Sequence, residues 1–231
     1  MTVEYCPVSM GVDLLGEKWT LLIVREIITG SHQFNDIHRG LPGLSRTLLS
    51  TRLRHLERAE IVAKRDRRYE LTQSGEELLD VILAFGAWTV RWRFPRPQPD
   101  QNDPYLLLWR IRAGLDHSQI PADRRITLHF ALTNPNTHAW ITIDGDTSSV
   151  CFQDPHYAID IELTGDTNTW YEIWYGHQTL ATARRSGHVT VNGPQNLTEA
   201  FPNWLTLSPF ARSVAARHRY DSAASLSGST A

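Results

Sequence analysis

The feature that most constrains this chain is a proline-dense stretch near its middle. Phe94-Pro95-Arg96-Pro97-Gln98-Pro99-Asp100-Gln101-Asn102-Asp103-Pro104 carries four prolines in eleven residues. Each proline removes a backbone donor and biases its predecessor away from helix, so the stretch reads as an extended linker. Ahead of it apolar residues recur mostly at helical spacing; beyond it, period-two alternation dominates. The expected organisation is one domain over residues 1–94, a linker over 95–104, a second domain over 105–220, and a disordered tail over 221–231 built mostly from Ser, Ala and Gly.

The net charge of −2 over 231 residues hides an asymmetry between these parts. Residues 1–98 hold 14 Lys and Arg against 12 Asp and Glu, while residues 99–231 hold 9 against 13. Within Arg39–Arg68 nine basic residues face three acidic ones, a density that would attract phosphate. A hydrophobic fraction of 41% excludes wholesale disorder. The longest apolar runs, Leu21–Val24 and Tyr105–Trp109, are too short to cross a bilayer, so no membrane partner is expected. Met1 to Val8 lack a basic region followed by an apolar one, and two cysteines cannot build a disulfide framework. The expected compartment is a reducing cytoplasm.

In the first half, helices are expected over Val8–Leu15, Trp19–Ile28 and Phe34–Arg39, with a turn at Leu41-Pro42-Gly43 and Ser45 as the cap of a further helix, Ser45–Ala59. At 100° per residue Leu49, Leu53 and Leu56 share one face of that helix. Thr47, Thr51, Arg54 and Arg58 project from the other, with Ser50 at its flank. Hydroxyls near the N-terminus and arginines beyond suit a DNA major groove, where both address base edges and Arg also binds phosphate. The same pattern serves a solvated helix in any globular domain. Its continuation favours DNA: Ile61–Lys64 and Arg68–Thr72 can pair across Asp66-Arg67 as a hairpin with Lys64, Arg65, Arg67 and Arg68 at its tip, the layout of a winged helix. Ser74-x-x-Glu77 is a capping-box signature for a long helix carrying Leu78, Ile82, Phe85, Trp88 and Trp92 at spacings of three and four.

The runs Leu14-Leu15-Gly16-Glu17-Lys18-Trp19-Thr20-Leu21-Leu22-Ile23, Phe34-Asn35-Asp36-Ile37, Leu44-Ser45-Arg46-Thr47-Leu48-Leu49-Ser50-Thr51-Arg52-Leu53 and Tyr69-Glu70-Leu71-Thr72, preceded by Cys6-Pro7, resemble the HxlR-type winged-helix regulators of bacteria from Cys6 to Arg93. The two-residue wing tip is shorter than that family's usual wing. The resemblance implies a homodimeric transcription factor that binds double-stranded DNA at an inverted-repeat operator with Ser45–Arg58 as its recognition helix. Arg46, Thr47, Ser50, Thr51 and Arg54 are then the candidates for groove contacts, Arg65, Arg67 and Arg68 for phosphates, and Lys18 for a further phosphate. Leu78, Ile82, Phe85, Trp88 and Trp92 would help build the dimer with the amino-terminal helix; packing within one protomer is the alternative. Cys6 matches a position that senses oxidants or electrophiles in some members, although a half-buried cysteine is more often a small hydrophobe.

In the second half Ile126, Leu128, Phe130 and Leu132 alternate with polar or small neighbours, as do Tyr157, Ile159, Ile161 and Leu163. Trp140–Ile143 and Ser149–Phe152 flank the turn signal Asp144-Gly145. Asp166 can cap a helix closed by Gly176, His188–Asn192 reads as a strand, and Leu197–Trp204 as a short helix. Cys151 falls on an expected strand, in the core. The expectation is an α+β domain around an antiparallel sheet. The stretches Ala158–Asp166 with Trp170, Ser186–Gly193 and Ala200–Trp204 resemble the sterol-carrier-protein-like fold over residues 105–213. That resemblance implies a cavity for a small hydrophobic ligand, lined by Trp140, Phe152, Trp170, Trp174 and Trp204; a large core would use the same residues.

No GxSxG, P-loop or GxGxxG occurs, and the six histidines from His117 to His188 do not pair at metal-ligand spacing. Neither a metal, a cofactor nor a catalytic residue is expected, and the chain does not read as an enzyme. The expected function is DNA-binding regulation, with the second domain binding a small apolar ligand or contributing to dimerisation and so biasing the spacing of the two winged domains. The rivals are a small-molecule or lipid carrier module and a thiol-based redox-sensing regulator working through Cys6.

Overall fold

The computed structural model describes residues 5–217, so the expected disordered tail at 221–231 lies outside the described residues. The chain forms two compact units, the first ending at Phe85 and the second beginning at Gly86.

The first unit runs α1 (Pro7–Leu15), α2 (Thr20–Ile28), α3 (Phe34–Arg39), α4 (Arg46–Arg58), β1 (Val62–Arg65), β2 (Arg68–Leu71) and the start of α5 (Gln73–Arg93). Ser45 caps α4, its hydroxyl accepting from the Leu48 N–H at 3.2 Å. The turn before it places Pro42 ahead of Gly43 at φ +88°, a left-handed position that glycine occupies without strain, and returns the Leu44 N–H to the Leu41 carbonyl. The leucine face of α4 is the core: Leu49, Leu53 and Leu56 pack against Ile23, Val24 and Ile27 of α2 and Ile37 of α3. β1 and β2 are antiparallel, joined through Asp66 and Arg67 at φ 45° and 69°, with Arg65 opposite Arg68. The Tyr69 N–H donates to the His32 carbonyl at 2.8 Å and His32 Nδ1 donates to the Tyr69 carbonyl at 3.0 Å, tying the hairpin to the α2–α3 connection.

The cap of α5 differs from expectation. The Thr72 hydroxyl accepts from the Gly75 N–H, whereas Ser74 donates to the Glu60 carbonyl at 3.0 Å and so anchors the helix start to the turn between α4 and β1.

The second unit contains α6 (Pro104–Ala113), β3 (Ile126–Thr133), β4 (Thr137–Asp144), β5 (Thr147–Cys151), β6 (Ile161–Asp166), α7 (Thr167–Tyr175), α8 (Leu180–Arg185), β7 (Val189–Asn192) and α9 (Gln195–Trp204), and residues 211–217 are helical. One sheet runs in the order β5-β4-β3-β6-β7. It is not antiparallel throughout: β3 and β6 pair in parallel, Leu128 opposite Ile161, while the other neighbours are antiparallel. After β5 the chain spends residues 152–160 without regular structure, and Asp160 latches onto β3, its carboxylate accepting from the Thr127 N–H at 2.8 Å and its own N–H donating to the Thr127 carbonyl at 2.9 Å. Tyr157 and Ile159, expected in a strand, are therefore exposed ahead of it. Cys151 is half-buried at the end of an edge strand rather than in the core.

Leu128, Phe130, Ile141 and Leu163 on one face of the sheet pack against Leu107 and Ile111 of α6, Trp170 and Trp174 of α7, and Phe201 and Trp204 of α9. The proline stretch belongs to this unit and lies along α7. Phe94 meets the Tyr175 ring edge-on at 5.1 Å, Arg96 pairs with Glu172 at 3.2 Å, Asn102 donates to Asn168 Oδ1 at 2.7 Å, and the Tyr171 hydroxyl donates to the Asp103 carbonyl at 3.0 Å. Arg217 donates to the carbonyls of Val90 and Phe94 at 2.7 and 2.8 Å, where the C-terminal end of α5 favours a cation.

Candidate nucleic-acid interface

The exposed side of α4 is built by subtraction: its leucines must be buried, so its polar residues face solvent. Thr47, Thr51, Arg54 and Arg58 are exposed and Ser50 is half-buried. These side chains lie along their own helix. Thr51 donates to the Thr47 carbonyl at 3.1 Å, and Arg54 donates through Nε to the Ser50 carbonyl at 3.3 Å and through Nη2 to the Thr51 hydroxyl at 3.5 Å. Arg46, the first residue of α4, instead reaches α3, where both terminal nitrogens donate to Asn35 Oδ1.

At the hairpin, Lys64, Arg65, Arg67 and Arg68 are all exposed, and Lys64 lies 5.3 Å over the Tyr69 ring. Like charges directly opposite each other in a hairpin repel; Glu70, 3.9 Å from Arg65, offsets part of the Arg65–Arg68 repulsion. Lys18 sits in the α1–α2 connection, 5.1 Å over the neighbouring Trp19 ring.

Three ties within this unit were missed from sequence: Asn35 on Arg46, the Glu17 carboxylate on Arg52, and His55 Nε2 donating to the Leu14 carbonyl at 3.2 Å. The last two hold α4 to the end of α1 and the turn after it. None leaves a local pattern, because the partners are far apart in the chain.

Leu78 and Ile82 are half-buried against the core of the first unit, whereas Phe85, Trp88 and Trp92 are 63%, 56% and 55% exposed. On α1, Val8, Met10 and Val12 are exposed too, and no residue of that helix is fully buried. Cys6 is half-buried ahead of the first turn of α1, where the backbone N–H groups of Ser9 and Val8, with the Ser9 hydroxyl, hold its thiol below the usual range.

The five aromatic candidates for a ligand cavity do not converge. Trp170, Trp174 and Trp204 are core. Trp140 lies on the opposite face of the sheet, stacked on His129 at 4.8 Å, and Phe152 is exposed against Tyr105 at 4.5 Å. The unit has a different apolar groove of about 450 Å³, whose walls include Ile173, Leu180, Pro202, Leu205 and Leu207, with Arg212 among its polar residues. Among the described residues no three His, Cys, Asp or Glu side chains are grouped to hold a metal ion, and no helix is long and apolar enough to cross a membrane.

Residues 14–96 match the HxlR-like helix-turn-helix family. An uncharacterized HTH-type transcriptional regulator of Bacillus subtilis, YvaP, is 37% identical over 101 residues, 40% of this chain and 93% of that protein. A second uncharacterized HTH-type regulator, from Synechocystis, is 36% identical over 91 residues, 36% of this chain and 67% of its own length. Among solved structures, quinone-bound YodB from Bacillus subtilis is 34% identical, covering 36% of this chain and 97% of that one with a TM-score of 0.35. These similarities lie in the helix-turn-helix half, and the relatives are named as regulators, not enzymes. The chain belongs to the HxlR-like helix-turn-helix family of transcriptional regulators.

Proposed function

We propose that the protein works in the cytoplasm as a homodimeric DNA-binding regulator, each protomer laying α4 in the major groove of one half of an inverted-repeat operator while the hairpin arginines meet phosphates. The observation that carries this reading is α4 itself. Its leucine face is buried to within 1%, and that rotation leaves Thr47, Ser50, Thr51 and Arg54 on the opposite side as one hydroxyl-and-arginine surface. Dimerisation through α1 and α5 is supported by the exposed Val8, Met10 and Val12 and by Phe85, Trp88 and Trp92, apolar surface of a kind that soluble monomers seldom leave open.

The test is a titration of full-length protein against the DNA upstream of its own gene at several salt concentrations, with light scattering for mass. Tight, steeply salt-dependent binding by a dimer is expected; binding that ignores salt, or none, favours the carrier reading. The groove walled by Ile173, Leu180 and Leu207 supports a small apolar ligand as effector in the second unit, of sterol-carrier-like type. Its test is release of bound DNA by apolar compounds, lost in Leu180→Arg. The redox reading is favoured by the acidified Cys6 thiol. Under that reading oxidant-responsive DNA binding disappears in Cys6→Ser; a response that survives the substitution eliminates it.

A further inference from the structure

Arg46 is ordered before any ligand arrives. Its Nη1 and Nη2 both donate to Asn35 Oδ1, at 3.2 and 2.7 Å, and its guanidinium carbon lies 5.5 Å over the ring of Phe34. Both holders come from the first turn of α3. A single oxygen between the two terminal nitrogens takes one N–H from each. The edge formed by Nε–H and the second Nη2–H then remains, two parallel donors on a guanidinium that lies over the Phe34 ring. That pair matches the O6 and N7 acceptors that guanine presents in the major groove. Arg54 offers a contrast: its Nε and Nη2, the same edge, are engaged by Ser50 and Thr51 of its own helix.

We propose that Arg46 is a guanine reader set in advance and that Asn35 is its positioning residue, fixing the donor fork without itself touching a base. This rests on α4 as the groove helix and adds which base it selects and what prepares the selection. An arginine ordered beforehand avoids losing its rotamer freedom on binding, about a two- to twelvefold gain in affinity.

The experiment selects duplexes from a library with a randomised central segment, using full-length wild type, Asn35→Ala, Asn35→Asp, Arg46→Ala and the Asn35→Ala/Arg46→Ala double variant, each checked for folding by circular dichroism. Wild type is expected to enrich a two-fold symmetric site with one guanine column per half-site that Arg46→Ala flattens about fivefold or more. Asn35→Ala weakens that same column about two- to twelvefold and leaves the other columns and the salt dependence unchanged. Asn35→Asp, which keeps the acceptor oxygen, restores the column, and Asn35→Ala has no further effect once Arg46 is gone. Losses spread evenly over every column would mean that Asn35 only supports the fold. An additive double variant would mean that it touches DNA itself, and an intact guanine column in Asn35→Ala would mean that Arg46 needs no holder. Each of these overturns the assignment while leaving the groove reading standing. A wild type that enriches no sequence removes both.

Discussion

Replacing Arg68 by Thr should move DNA binding and stability in opposite directions. Arg68 faces Arg65 directly across the hairpin, next to Arg67 in the turn. Directly opposed like charges cost about 0.2–1 kcal/mol, and the Glu70 carboxylate at 3.9 Å removes part of this. Threonine suits a strand, and the backbone bridge from residue 68 to Gln33 does not involve the side chain. The first unit is therefore expected to gain about half a kcal/mol, or about 3 °C in its melting transition. The same arginine, if it meets a phosphate, releases counterions on binding. Losing it lowers the slope of log K against log salt by about 0.9. Between about 50 and 200 mM salt the variant should lose about 3.5-fold less affinity than wild type, from a weaker starting point. Fluorescence anisotropy on a labelled duplex across that range reads the slope, and scanning calorimetry reads the stability. An unchanged slope would remove Arg68 from the phosphate-binding surface. A destabilised first unit would show that the opposed arginines do not repel.

Three other outcomes follow from packing and titration. Leu53→Ala opens a cavity in a site 1% exposed and should destabilise the first unit by about 2–5 kcal/mol in urea unfolding, while Thr51→Ala on the opposite face changes stability by less than about 0.5 kcal/mol. Trp88→Glu is expected to halve the mass seen by light scattering without lowering helix content; an unchanged mass would take α5 out of the dimer interface. Burial and the adjacent His138 push the His129 imidazole below its ordinary 6.5, against the opposing pull of Glu162 and Asp154. The folded chain then takes up this proton at lower pH than the unfolded chain, so the second unit holds its full stability above about pH 6.5 and loses some as pH falls toward the folded value. His129→Gln should flatten that decline in urea midpoints measured from pH 7.5 to 5.

The first unit was legible because its information is local. Leu49, Leu53 and Leu56 recur at helical spacing, Pro42-Gly43 marks its own turn, and Asp66-Arg67 sits between two short runs able to pair. The second unit was readable as alternating strands, but alternation carries no direction. Nothing in Ile161 or Leu163 says whether β6 runs with β3 or against it, and the deciding contact is made by Asp160 with Thr127, far back in the chain. The proline stretch looked like a tether because its composition is that of one; its partners Glu172, Asn168 and Tyr175 lie far along the chain. The tryptophans misled for a different reason. An indole looks the same in sequence whether it walls a cavity or fills a core, and Trp170 and Trp204 fill one. In the candidate interface the solvent-facing residues of α4 follow from helix rotation alone, whereas the contact of Asn35 with Arg46 needs two helices brought side by side.

The parallel pairing of β3 with β6 also orders events during synthesis. β3, β4 and β5 are consecutive antiparallel neighbours and can zip together as they are made. Until Ile161–Asp166 follows, the other edge of β3 presents unpaired N–H and C=O groups beside Leu128 and Phe130, a template for any other extended chain. A chain that has formed β3, β4 and β5 but not yet added Ile161–Asp166 therefore leaves that edge open to other strands. Asp160, arriving just ahead of β6, closes that window.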